Sequence, residues 1–342
     1  MRIAIVTDAW APQINGVVRT LEATVRELAA AGHEAFVIAP DAFRSIPCPT
    51  YPEIRLALAG RGAVGARLEA FAPEAIHIAT EGPLGLAARR WCVARGLPFT
   101  TAYHTQFPDY VAARTGIDPA LVWRYVRWFH APADAVLVST PTIAGELATR
   151  GIGPTRRWGR GIDPDLFNAD GPADAALRAL PGPVLLAVGR VAVEKNLEAF
   201  LAAPLPGTKV VVGDGPALAD LRRRFPDAHF LGHRSGVALA AAYRAADVLV
   251  FPSRTDTFGL VMIEAIACGT PVAAYPATGP VDVLSAETGA MHDDLVVAVQ
   301  RALALDRPAC ARAGATLTWA ASTSQFLHAL SPVANAPIAR AA

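Results

Sequence analysis

Two mostly parallel sheets, each layered with helices, are the architecture that this 342-residue sequence predicts. Three observations predict it. Short apolar runs of strand length alternate with stretches of helical periodicity. The alternation lapses once, from Gly151 to Pro183, into Gly, Pro, Asp and Arg without sustained period, and then resumes. The chain is 53% hydrophobic and 18% charged, the balance of a well-buried globular protein, and its length suits two domains of ordinary size.

In the first half, Ile3 to Val6 is a strand-length apolar run, followed by a turn-rich loop from Thr7 to Gly16. A helix from about Val17 to Ala31 closes on Gly32-His33, and Ala35 to Ala39 is the next strand. Ile54–Leu58, Ala75–Ile78, Phe99–Tyr103 and Ala135–Val138 continue the series. Ligands of open parallel sheets sit beyond the carboxyl ends of the strands, where Asp8, Asn15, Gly16 and His104 fall. Asn15-Gly16 suits either an anion approaching the backbone or a plain turn and helix cap; His104 suits either a ligand contact or a structural histidine. Pro119 to His130, with Trp123, Arg124, Arg127 and Trp128, reads as a basic aromatic helix. It fits a core helix with Arg stems laid along it, or a peripheral membrane contact that would make the acceptor a lipid.

The second series runs through strands at Val184–Val188, Lys209–Val212, Ala228–Leu231, Asp247–Phe251 and Val272–Tyr275. Arg190 and Lys195 flank the loop after the first of these, and Lys195 is one of only two lysines, with Lys209, in an arginine-rich chain. Val212-Gly-Asp-Gly-Pro216 is a glycine turn after the second. The stretch from Leu249 to Val272 is a strand–loop–helix–strand unit, with Asp256 and Thr257 at N-cap positions, Gly259 at the helix mouth, and Gly269 and Pro271 at its end. Such a mouth suits a phosphate. Glu264, eight residues after Asp256, then lies near a sugar or ribose hydroxyl, the two carboxylates lining one side of a cleft. The plainer alternative is a surface cap and a solvated Glu. A helix near Asp294–Leu305 and an amphipathic segment from Trp319 to Leu330 complete the chain.

Several classes are excluded. A net charge of +1, with no basic tail, gives nucleic acid no footprint. Cys48, Cys92, Cys268 and Cys310 are widely spaced and indicate neither zinc nor a disulfide framework, which fits a reducing cytoplasm. The N-terminal apolar run is too short for a signal peptide, and no run reaches the length of a membrane span. Asp163-Pro164-Asp165 is read as a turn, so no metal is expected. Gly60-Arg-Gly62-Ala-Val-Gly65 matches the dinucleotide fingerprint, but it follows the third strand of the series and its helix is stopped early by Pro73.

The Asp256/Glu264 stretch, Gly189-Arg-Val-Ala-Val-Glu-Lys-Asn196, Gly213 and YHTQFPDY around His104 together resemble retaining glycosyltransferase family 4. The resemblance covers nearly the whole chain. It implies the GT-B fold, two Rossmann-like domains facing across a cleft: an acceptor-binding domain over 1–165, a nucleotide-sugar-binding domain over 166–315, and a segment over 316–342 whose helix packs back on the first. It implies Arg190 and Lys195 on the donor diphosphate, with the backbone at Phe258, Gly259 and Leu260. Gly213 stands near the nucleotide, Glu264 on the ribose, Asp256 and His104 on the sugar, and Asn15-Gly16 closes over the phosphates. The catalytic set is therefore His104, Asp256, Arg190 and Lys195, with no cofactor. Asp256 departs from the pattern, which usually has Glu there. The nearest subfamily is the bacterial GDP-mannose-dependent α-mannosyltransferases and related lipid glycosyltransferases. That implies transfer of a hexose, mannose first, to a lipid or saccharide by a cytoplasmic enzyme, at the inner face of the membrane if the Trp123–Trp128 helix rests there. The rivals are an epimerase or phosphorylase of the same fold, and a nucleotide-sugar-binding protein without turnover.

Overall fold

A computed structural model describes residues 1–13, 15–48, 51–104 and 117–333, excepting the side chains of 51–54. The chain divides into two compact units, Met1–Gly159 with Trp319–Ala342, and Arg160–Thr318.

The first unit is built on a six-stranded parallel sheet of order β2-β1-β5-β6-β7-β8. Its strands are β1 (Arg2–Val6), β2 (Glu34–Ile38), β5 (Ala75–Ile78), β6 (Thr100–Tyr103), β7 (Ala135–Val138) and β8 (Thr155–Arg157). β1, β5, β6 and β7 are buried almost throughout, as strands covered on both faces must be. Two expectations fail here. The strand expected at Ile54–Leu58 is β4 (Tyr51–Ala57), which pairs antiparallel with β3 (Ser45–Cys48) in a separate two-stranded sheet. The connection between them is far too short for a parallel crossover, and Pro47 lacks the N–H that a central strand needs. Residues 155–157, read as linker, instead add the edge strand β8.

Gly60-x-Gly62-x-x-Gly65 also has a structural explanation. Gly60 is the N-cap of the helix Arg61–Phe71, and a Cβ on Gly65 would lie 2.2 Å from the Trp91 ring on the helix Pro83–Arg95. The glycine lets two helices touch, and no cofactor is needed to explain it.

The helix Trp319–Ala329 belongs to the first unit. Phe326 packs tilted against Trp158, ring centroids 4.7 Å apart, Ser322 donates to the Gly159 carbonyl at 2.9 Å, and Arg156 donates to the Ala329 carbonyl at 2.7 Å. Beneath them His77 on β5 is fully buried, edge-on to Trp158 and Phe326, with Nδ1 2.9 Å from the Thr100 hydroxyl. Burial pushes its pKa down to about 3. An unfolded histidine titrates near 6.5, so the unfolded chain binds the extra proton first as pH falls. Stability from this residue is complete above about 6.5 and drains toward pH 3 at about 1.4 kcal/mol per pH unit. Urea unfolding at pH 6.5 and 5 should therefore show about 2 kcal/mol more acid loss in the wild type than in His77→Leu. Equal losses would refute the assignment.

The second unit carries the sheet β11-β10-β9-β12-β13-β14, again all parallel. Its strands are β9 (Val184–Val188), β10 (Thr208–Val212), β11 (His229–Phe230), β12 (Val248–Phe251), β13 (Val272–Ala274) and β14 (Gly289–Met291). Asp163-Pro164-Asp165 is a turn in which Asp163 Oδ1 accepts from the Asp165 amide at 3.1 Å. All four cysteines are free thiols, and burial pushes Cys92, Cys268 and Cys310 up to about 12. Among the described residues no helix is long and apolar enough to cross a membrane, and no three His, Cys, Asp or Glu converge to hold a metal ion.

Candidate active site

In the second unit the chain lays down β9, β10 and β11 in one direction, then returns to place β12 on the other side of β9. β9 and β12 therefore flank the point where strand order reverses, and the loops leaving their carboxyl ends diverge there. That is where open α/β sheets take their ligands. The β9 loop carries Arg190 and Lys195; the β12 loop carries Asp256, Phe258 and Gly259. The two loops are stitched together. Lys195 Nζ donates to both oxygens of Asp256, at 2.6 and 2.8 Å, the side chains being 28% and 16% exposed. Asn196, in the left-handed region at φ 51°, donates to the Pro252 carbonyl at 3.1 Å, and buried Ser253 donates to the Glu194 carbonyl at 3.4 Å. Arg190 is exposed beside them.

The neighbouring loops close in through glycines. A Cβ on Gly213, after β10, would lie 1.8 Å from the Gly189 carbonyl oxygen, and one on Gly215 would lie 2.4 Å from that of Val191. A Cβ on Gly279, after β13, would lie 2.9 Å from the Asp256 carbonyl oxygen. The β9 and β10 loops, and the β12 and β13 loops, thus meet backbone to backbone.

The helix that follows β12 runs Leu260–Ala267, and its N-cap is Gly259 at φ 85°, with no side chain capping it. Asp256 and Thr257, expected at the cap, precede it. A left-handed turn at Gly259 redirects the chain, and a Cβ there would lie 2.8 Å from Met262 Cε. The helix mouth, three residues after Asp256 in the chain, thus has no side-chain cap, an arrangement able to take up anionic oxygens. Phe258 is buried in the unit's core and Leu260 packs partly against it.

Glu264 lies inside the helix, as the sequence reading has it, but its geometric relation to Asp256 differs. Because Asp256 lies outside the helix, helical spacing does not relate the two carboxylates. Glu264 is 2% exposed, and Tyr243 on the helix Gly236–Ala245 donates to its Oε2 at 2.9 Å. Tyr243 was missed by sequence reasoning. Its only signal is an aromatic hydroxyl inside an alanine-rich apolar helix, a group that needs a partner when buried.

In the first unit β1 and β5 flank the corresponding reversal. Asp8, after β1, is buried and accepts from the Thr80 hydroxyl at 2.8 Å and the Leu84 and Gly85 amides at 2.9 and 3.3 Å. It therefore caps the helix Pro83–Arg95, and burial raises its pKa against these bonds. Asn15 is likewise a cap, accepting from the Val17 and Val18 amides at 3.0 Å. Gly16 is exposed as the first residue of that helix. His104, just beyond β6, is 8% exposed with its ring edge-on to Trp158 at 5.2 Å. Residues 105–110, the rest of the YHTQFPDY motif, lie outside those described. The helix Pro119–His130 has the buried face that a core helix requires, and an exposed one opposite. Trp123, Val126 and Phe129 are buried, while Leu121, Arg124, Arg127 and Trp128 face out, Trp128 under the Arg89 guanidinium at 3.8 Å.

Comparison with known proteins places the chain. Residues 14–166 match the model of Glycosyltransferase Family 4, and residues 182–305 that of Glycosyl transferases group 1. A GDP-mannose-dependent alpha-mannosyltransferase of Mycolicibacterium smegmatis is 32% identical over 86% of this chain and 84% of its own. The chain belongs to glycosyltransferase family 4. An alpha-monoglucosyldiacylglycerol synthase of Streptococcus pneumoniae is 30% identical over 80% of this chain and 71% of its own. Among solved structures, sucrose-phosphate synthase from Thermosynechococcus elongatus superposes with a TM-score of 0.77 at 25% identity, covering 96% of this chain and 97% of that one. The fold is GT-B, with two Rossmann-like units, and this family 4 chain is a glycosyltransferase. The dinucleotide fingerprint at Gly60–Gly65 is thereby set aside as a functional signal.

Proposed function

We propose that the chain is a retaining hexosyltransferase that moves mannose from GDP-mannose to a lipid or saccharide acceptor. The observation that carries this reading is Lys195, held 2.6 Å from Asp256 beside the uncapped mouth at Gly259, where the sheet reverses. A diphosphate lodged there meets Lys195, Arg190 and the backbone at Phe258, Gly259 and Leu260. These neutralise the charge that develops on the leaving nucleoside diphosphate as the glycosidic bond breaks. Asp256 and His104 are assigned to the sugar, Glu264 to the ribose, and the Asn15-Gly16 turn and the Gly213 loop to the phosphate and nucleotide. Retention follows from front-face attack by the acceptor hydroxyl, its proton passing to the departing phosphate. The M. smegmatis relative's name supports GDP-mannose, and the S. pneumoniae relative's name supports a glycerolipid acceptor. The outward face at Leu121, Arg124, Arg127 and Trp128 supports contact with anionic headgroups.

Thermal-shift screening of GDP, UDP, ADP and their sugars tests the donor, and GDP-mannose is expected to raise the melting temperature most. Assays with that donor, using diacylglycerol-containing anionic vesicles and free mannosides as acceptors, should yield an α-linked product. If donor alone gives an epimer or a hexose phosphate instead of slow hydrolysis, the proposal fails in favour of an epimerase or phosphorylase. Tight donor binding without a glycoside on any acceptor would point to a binding protein.

A further inference from the structure

The segment between β12 and its helix is held from two sides. On the β9 side Asn196 donates to the Pro252 carbonyl, Ser253 donates to the Glu194 carbonyl, and Lys195 pairs with Asp256. On the β13 side a Cβ on Gly279 would lie 2.9 Å from the Asp256 carbonyl oxygen and 3.1 Å from that of Phe258. Arg254 joins this second side. Its guanidinium carbon sits 3.7 Å over the centre of the ring of Tyr275, the residue next after β13. Tyr275 is 8% exposed and belongs to the core that also holds Val191 and Val250, so the arginine rests on a fixed platform. Arg254 itself is exposed, and among the described residues it makes no hydrogen bond and has no carboxylate within ion-pair distance. Lys195, by contrast, is already bonded to both oxygens of Asp256. A guanidinium laid over an aromatic face keeps its N–H edge for planar, two-point bonding to a phosphate, which an ammonium cannot copy.

We propose that Arg254 is a binding residue of the donor site and contacts a phosphate of the nucleoside diphosphate from the β13 side. This rests on the reading that the diphosphate lodges at the mouth of the helix at Gly259, the end of the same short segment. The two cations then act differently. Lys195 must be drawn from Asp256 before its whole charge reaches the phosphates. Arg254 has no carboxylate to leave, so it holds the bound donor and the departing diphosphate alike. Its contribution therefore shows in affinity more than in turnover.

The test uses the full-length protein and whichever of GDP, UDP and ADP raises its melting temperature most. Affinities for that diphosphate and for its nucleoside are measured by calorimetry in wild type, Arg254→Ala and Lys195→Ala. Arg254→Ala should weaken the diphosphate about tenfold and leave the nucleoside unchanged. The salt dependence of diphosphate binding should become shallower in the same variant. With the sugar nucleotide, KM should rise while kcat stays within about threefold of wild type. The side chain is exposed, and a cooperative melt verifies that the variant is folded. If Arg254→Ala changes diphosphate affinity by less than about threefold, or weakens the nucleoside equally, the inference is overturned. Weaker diphosphate binding by Lys195→Ala in that case leaves the reading of the helix mouth intact. If no diphosphate binds the wild type, or neither variant alters its binding, that reading falls and the inference with it.

Discussion

Lys195→Ala is expected to lower kcat/KM by about 10²–10³, the scale of removing one preorganised electrostatic group from a transition state. The fold should survive. Lys195 and Asp256 are partly exposed, and an ion pair of that kind contributes about 1 kcal/mol or less. What makes the site informative is that the cation assigned to the diphosphate is already held on both oxygens of the carboxylate assigned to the sugar. An arriving donor must share the ammonium with that carboxylate or take it over. Asp256→Asn should therefore separate two effects, binding free nucleoside diphosphate at least as well as the wild type while transferring sugar poorly. Calorimetry with GDP and steady-state kinetics measure the two. If Lys195→Ala retained activity within a few-fold of wild type, the diphosphate assignment would be lost.

Gly213→Ala is expected to destabilise the second unit by roughly 2–6 kcal/mol, adding the strain of its backbone to a direct collision. At φ 149° the new Cβ would lie 1.8 Å from the Gly189 carbonyl oxygen, and since that atom is backbone it can clear only by parting the two loops. Gly232→Ala is the control. Its φ of 71° carries backbone strain, but nothing lies within 4 Å of the Cβ position, so a smaller loss of about 1–2 kcal/mol is expected. Urea midpoints give both numbers, and similar values for the two would show that the loop contact is unimportant. Any Gly213→Ala protein that does fold should also lose the nucleotide-induced thermal shift, because the β9 loop it displaces carries Arg190 and Lys195.

Strand ends are visible in one dimension, which is why the loops that carry Arg190, Lys195, Asp256 and Gly259 are legible from apolar runs and turn residues, while the roles of those residues come from the family resemblance. Strand order is not visible in that way. Lys195 and Asp256 are 61 residues apart, and only the reversal that seats β12 beside β9 brings them together. The pairing of Tyr243 with Glu264 escaped for a related reason. It joins two helices, so no periodicity within either one announces it. Local rules also misled where another local rule prevailed: Asp256 is a good N-cap residue, but Gly259 can adopt the left-handed turn that starts the helix later. The β3–β4 hairpin was hidden because period and composition mark strands without stating whether they join the main sheet. Asp8 and Asn15 stand at strand ends like ligand contacts, yet both are occupied in capping helices.

The first unit is discontinuous, with Trp158 and His77 sealed by Phe326 from a helix encoded after the whole of the second. During synthesis the ribosome therefore releases a contiguous 160–318 segment, able to assemble at once, before the earlier half of the chain receives its closing piece. The unit that begins first is completed last, and until then its nascent surface carries an uncovered aromatic seat that a chaperone can recognise.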